Sequence, residues 1–118
     1  MDPKPFDMDV RHDGGVTILD LHGEIDAKAS GGLTEAYDQA EEAGAHTVVL
    51  NFGDVQYMNS TGIALIVSLL ARARAARHRL IAFGLSDHYM EIFTITRLSD
   101  FMTVSPDESS AMAAAGAA

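Results

Sequence analysis

Apolar and polar residues alternate at the start of the chain, with Phe6, Met8 and Val10 on one side and Asp7, Asp9 and Arg11 on the other. A period of two is that of a strand with one wet face. Asp13-Gly14-Gly15 is a hairpin signal, and residues 16–21 return as a second, antiparallel strand. Gly23 is expected to end that strand. Residues 22–30 (HGEIDAKAS) then read as a loop, with Ser30 as the N-cap of a helix. Leu33, Ala36, Tyr37 and Ala40 recur at helical spacing, and Gly44 is a natural stop.

Residues 47–52 (TVVLNF) form a near-continuous apolar run rich in β-branched side chains, the pattern of a central strand covered on both faces. A loop over 53–59 leads to a helix over 61–77, and residues 80–85 make another buried strand. Ser86 or Asp87 caps a helix that turns Tyr89, Ile92 and Phe93 inward, and 101–104 is a last short strand. Ser105-Pro106-Asp107-Glu108 combines an N-cap, a proline at the first helical position and a carboxylate three residues after the cap. A final helix is expected there, fraying through AMAAAGAA.

The order β-β-α-β-α-β-α-β-α predicts an α/β fold. Its mixed sheet has about five strands, an antiparallel first pair and parallel central strands, with about four helices. No linker, repeat or charge block divides the chain, so residues 1–118 are expected to form one domain. Its ordered core should span about 6–113, with 114–118 a flexible tail.

Charge and composition narrow the function. A net charge of -9 disfavours nucleic acid and anionic membrane as direct partners. The longest apolar stretch, 63–71, is broken by Ser68 and closed by Arg72, too short for the roughly 20 residues of a membrane span. The N-terminus lacks the layout of a signal peptide, so a soluble cytoplasmic protein is expected. Arg72, Arg74, Arg77 and Arg79 lie together. They suit a helix C-terminus, or a patch for an anion or an acidic partner.

Catalytic motifs are missing. There is no phosphate-cradling glycine loop and no G-x-S-x-G elbow around Ser60, so no enzyme activity, catalytic residue or cofactor is expected. His22, Glu24 and Asp26 would share one face of an extended strand, but partner ligands at metal-binding spacing are absent and no metal is expected. Ser86-Asp87-His88 reads as a helix start, and His12, His46 and His78 as solvated surface residues.

Tyr57–Ile66 (YMNSTGIALI) is less easily dismissed. Asn59 and Ser60 are both good N-caps, worth about 0.5–2 kcal/mol, yet a helix needs one cap. Here Asn59, Ser60 and Thr61 precede Gly62, which removes bulk at the first turn. Two readings stay open: plain capping, or an accessible modification or docking surface ringed by Met58 and Ile63.

The stretch from Thr47 to Arg74 resembles the central segment of STAS domains, the family of bacterial anti-sigma factor antagonists. There a strand, a short loop and an aromatic-Met-Asp-Ser-Ser/Thr-Gly sequence open a helix. Leu21 to Ser30 is similar to the family's Leu-x-Gly-Glu-hydrophobic-Asp segment, and Met90 to Val104 to its later helix and last strand. The resemblance runs from about Phe6 to Ala113 and implies a STAS-like fold with partner switching. An unphosphorylated antagonist binds an anti-sigma factor that is also a serine kinase. Phosphorylation at the helix start breaks that complex, and a PP2C-type phosphatase restores it.

Residue matching implies Ser60 as phosphoacceptor, with Thr61 the alternate. Asp26, Met58, Asn59, Thr61, Gly62 and Ile63 are implied as partner-binding, and the free chain as a monomer or weak dimer. Three departures stand out: Asn59 and Asn51 replace family acids, and Arg97 replaces a glycine, a change tolerable if that turn avoids positive φ. The runner-up reading is a constitutive scaffold or accessory STAS domain in a signalling or transport complex, in which Ser60 is not a switch.

Overall fold

Five strands pair in one sheet whose spatial order, β1-β2-β3-β4-β5, is also their order along the chain. In this computed structural model, which describes residues 4–116, β1 (Asp7–Asp13) and β2 (Val16–Ile25) are antiparallel across the turn at Gly14 and Gly15. Strands β3 (Thr47–Met58), β4 (Arg79–Phe83) and β5 (Thr103–Ser105) add in parallel. Helices α1 (Ser30–Glu42), α2 (Ser60–Ala75) and α3 (Asp87–Ile95) are the crossovers, and α4 (Glu108–Gly116) follows the last strand.

Three crossovers of the same hand, all advancing one strand in the same direction, must lie on one face of the sheet. Accordingly Leu19, Leu21, Val48, Leu50 and Leu80 pack under Leu33, Tyr37, Ile66, Leu69 and Phe93 in one large core. On the opposite face the small residues Ala111 and Ala115 of α4 close over Val16, Ile18, Val49, Ile81 and Phe83. Strands β3 and β4 are thus covered on both sides, which is why their sequences read as unbroken apolar runs.

Several boundaries differ from those the sequence predicts. Gly23 does not end β2. It sits inside the strand at φ +80, where a β-carbon would lie 2.3 Å from the Pro5 carbonyl oxygen, so the glycine lets the N-terminal segment cross the strand. Strand β3 continues to Met58 rather than stopping at Phe52. Between Asp20↔Asn51 and Glu24↔Tyr57 it carries two more residues than β2, absorbed as bulges. The Asn51 carboxamide oxygen stabilises the first bulge by accepting the Gly53 N–H at 2.9 Å.

Ser30 is not a cap. Asp26 caps a 3-10 turn at Ala27–Ala29, from which α1 continues with no side-chain cap. At the other end Ser105 is buried in β5, and Asp107 accepts the Ser110 N–H at 2.8 Å instead. Helix α4 runs to Gly116, past the expected end of the core at 113, with Ala115 buried against the sheet; residues 117–118 lie outside the described residues. Arg97 does adopt positive φ, at +64. His78 is not a free surface residue, since its Nδ1 lies 3.3 Å from the Tyr37 hydroxyl.

Candidate functional site at the start of helix α2

The end of β2, the end of β3 and the first turn of α2 meet at Asn59. Its backbone N–H donates to Ile25 O at 3.3 Å and its carbonyl accepts the Ile63 N–H at 3.0 Å. Its side-chain oxygen accepts the Gly62 N–H at 2.8 Å. Asn59 is therefore the N-cap, with extended backbone and α2 beginning at the next residue.

Gly62 has a different task from the one its sequence suggests. Its missing β-carbon faces the protein, where it would lie 1.9 Å from the Ile25 carbonyl oxygen. Only glycine lets the helix start approach β2 this closely. Met58 also faces inward, at 3% exposure. The Tyr89 hydroxyl accepts the Met58 N–H at 2.7 Å and donates to the Met58 carbonyl at 3.2 Å, which fixes the last residue of β3. The buried Met58 side chain and the Gly62 backbone thus support the site from below, and neither is exposed at its outer surface.

Ser60 and Thr61 are left outside. Both are exposed, and their hydroxyls have no hydrogen-bond partner among the described residues. Asn59, Ile63 and Asp26 are partly exposed beside them, with the Asp26 carboxylate accepting the Lys28 N–H at 2.9 Å. The fold brings Asp26, Asn59, Ser60, Thr61 and Ile63 together at the positive end of a 16-residue helix.

A second polar region, across the outer part of the sheet face that α4 leaves open, does not announce itself in the sequence. Arg11 bridges Asp20 (2.7 and 2.8 Å) and Glu108 (2.7 and 3.2 Å), joining β1, β2 and the first turn of α4. Asn51 donates to Asp20 at 2.8 Å, so an aspartate at 51 would set two carboxylates against each other. His22 reaches Asp54 at 2.7 Å and Asp9 at 3.0 Å. Those hydrogen bonds, Asp54 foremost, raise the His22 pKa above its ordinary value. His22, Glu24 and Asp26 are not drawn together: His22 is held by carboxylates of the neighbouring strands, and Asp26 caps the turn. The signal for these pairs was the period-two placement of Asp9, Asp20, His22 and Asp54, legible only once strand order and register are known.

Residues 7–111 match the family model of the STAS domain. An anti-sigma-B factor antagonist of Listeria monocytogenes is 33% identical over 82 residues, 70% of this chain and 72% of that protein. Among solved structures, an anti-sigma factor antagonist from Mycobacterium paratuberculosis superposes with a TM-score of 0.78 at 17% identity, covering 94% of each chain. The Bacillus cell fate determinant SpoIIAA in its phosphorylated form gives 0.71 at 21% identity, over 93% of this chain and 98% of that one. The chain belongs to the STAS domain family, within its anti-sigma factor antagonist branch, a class of non-enzymatic regulators. Among the described residues no helix is long and apolar enough to cross a membrane.

Proposed function

We propose that the chain works by partner switching at Ser60. Unphosphorylated, it binds an anti-sigma factor that is also a serine kinase; phosphorylated at Ser60, it is released, and a PP2C-type phosphatase resets it. The observation that carries this reading is the division of labour at the helix start. Asn59 does the capping, so the Ser60 hydroxyl is exposed and surplus to folding. The phosphorylated state of the Bacillus neighbour supports the view that this fold tolerates such a modification. The reading implies a cytoplasmic protein, with Asp26, Asn59, Thr61 and Ile63 at the contact.

The energetics suit a switch. A phosphate adds about -1.5 to -2 charges, which a helix N-terminus accepts or mildly favours in the free domain. Against a partner surface shaped for a hydroxyl, the same charge must be desolvated at several kcal/mol. About 2.8 kcal/mol already lowers affinity a hundredfold. The test is to incubate the chain with ATP and its anti-sigma kinase and locate phosphate by mass spectrometry. Phosphate on Ser60, with hundredfold weaker binding by Ser60→Glu and retained binding by Ser60→Ala, is the expected result. An unmodified Ser60 and Thr61 together with wild-type-like binding by Ser60→Glu would sink the reading.

One observation favours a second reading. Asn59 is neutral where the family carries an acid, which removes a charge that a kinase or phosphatase can recognise. A constitutive scaffold STAS domain would then bind its partner regardless of Ser60→Glu.

A further inference from the structure

Two features lie outside that reading: the arginines of α2, and large apolar side chains standing in water. The fold gathers them. The second half of α2 and the segment after α3 bound an open groove of about 430 Å³, lined by Val67, Leu70, Ala71 and Leu98 with Phe101 and Arg74 alongside. Phe101 is 53% exposed, and Ile95, immediately before the groove's rim, is 71% exposed. Grouped apolar exposure of this kind marks a contact surface, unlike isolated surface residues.

The arginines divide by task. Arg72 is bound by Asp38 and Glu41 and lies over the Tyr37 ring, so it serves the fold. Arg74 instead lies over the exposed Phe101 ring at 4.9 Å. Arg97 stands on the rim with its side chain 79% exposed, in an i,i+3 pair with Asp100.

We propose that this groove docks an acidic amphipathic helix of a partner protein, its apolar stripe against Val67, Ala71, Leu98 and Phe101 and its carboxylates against Arg74 and Arg97. From Val67 to Arg74 is about 10 Å along α2, two helical turns, which suits anchors spaced i, i+3/i+4, i+7. Charge selects the occupant. The chain carries a net -9, so most of its surface repels an acidic segment; at the rim Arg97 is matched by Asp100, and the local attraction comes chiefly from Arg74, within a Debye length of about 8 Å. A second copy would bring its whole net charge of -9 against this surface, where a short helix brings only the carboxylates that meet the arginines.

The groove is distinct from the Ser60 end of the helix. Ser60, Ala64, Val67, Ala71 and Arg74 form one exposed stripe about 21 Å long, with the groove at its far half. The proposal therefore does not rest on phosphorylation.

The test is to titrate the isotope-labelled full chain with two synthetic 16-residue peptides. Both carry leucines at i, i+3, i+4 and i+7; one is flanked by glutamates, the other by lysines. The glutamate peptide should shift the amide signals of Val67, Ala71, Leu98 and Phe101. Its affinity should fall at least tenfold in an Arg74→Glu, Arg97→Glu variant whose thermal melt shows it folded, and stay unchanged in Ser60→Glu. Silence of those amides, equal binding of the lysine peptide, or unaltered affinity in the charge-reversed variant would each overturn the proposal. So would self-association abolished by Phe101→Asp, which would give the groove to a second copy. Because Ser60→Glu is neutral here and decisive for the switch, the two readings fail separately.

Discussion

The Tyr89 hydroxyl serves both backbone groups of Met58, accepting its N–H at 2.7 Å and donating to its carbonyl at 3.2 Å. A side chain from α3 thus does for the end of β3 what a neighbouring strand would do. Tyr89→Phe keeps the ring but leaves a buried amide and carbonyl unpaired, a loss of about 1–3 kcal/mol. Urea denaturation should show this, together with faster amide exchange at Met58. An unchanged midpoint would mean that the hydroxyl does not hold the strand end.

The capping assignment separates two adjacent residues. Asn59→Ala should destabilise by about 0.5–2 kcal/mol, while Ser60→Ala should stay within about 0.5 kcal/mol of wild type. Asn59→Asp should keep the cap and gain about 0.3–1 kcal/mol from the helix dipole. Thermal melts of the three variants check the order. A larger loss at Ser60 than at Asn59 would return the cap to the serine and remove the argument that its hydroxyl is free.

His22 gives a pH dependence of defined sign. It faces Asp54 and Asp9 directly, with Asp20 further along the same strand; its folded pKa is raised above 6.5 by hydrogen bonds to Asp54 and then Asp9. Its contribution is fully present below about pH 6.5 and is lost as pH rises through the raised folded value. Wild type should therefore lose its advantage over His22→Asn as pH rises above about 6.5 and through the raised folded value. Parallel stability curves for the two proteins would exclude the contribution. On the acid side the sign reverses. Burial pushes the Asp20 carboxyl up, but Arg11 and Asn51 outweigh it, and Arg11 lowers Glu108 as well. Their share is present above the ordinary carboxylate range and is lost as pH falls.

Arg97 stands in the left-handed region at φ +64, a conformation that costs a non-glycine residue about 1–2 kcal/mol. Its exposed pair with Asp100 returns at most about 1 kcal/mol. Arg97→Gly should be the more stable protein, by up to about 1 kcal/mol after the extra freedom of its unfolded chain is counted. Arg97→Ala should be no better than wild type. Guanidinium denaturation of the pair reads the difference directly.

Element order was legible because periods of two and 3.6 alternate along the chain, and because β3 and β4 need apolar residues on both faces. What stayed hidden depends on contacts between distant segments. Gly53-Asp54 reads as a loop, yet pairing with β2 and the Asn51 side chain keeps the strand going through two bulges. Ser30 has the chemistry of a cap, but Asp26 begins a turn before it. At the candidate site the sequence shows that residues 58–63 share one helix start, but not which of them face outward. Gly62 packs against the Ile25 carbonyl and the Met58 backbone is held by Tyr89, and neither partner is near in sequence. The groove beside Phe101 joins α2 to a segment more than twenty residues later, so no local pattern reveals it.

The agreement between strand order in space and order along the chain bears on how the molecule is made. Each new strand pairs with the one just before it, so no edge waits for a distant partner, although each parallel pairing must still close over an intervening helix, the slower kind of contact. A chain emerging N-terminus first can extend the sheet one strand at a time. The pocket for Gly62 at Ile25 is complete once α2 has docked, while the Tyr89 brace on Met58 arrives only with α3. Refolding followed at both places should find the serine's platform built first and its brace added afterwards.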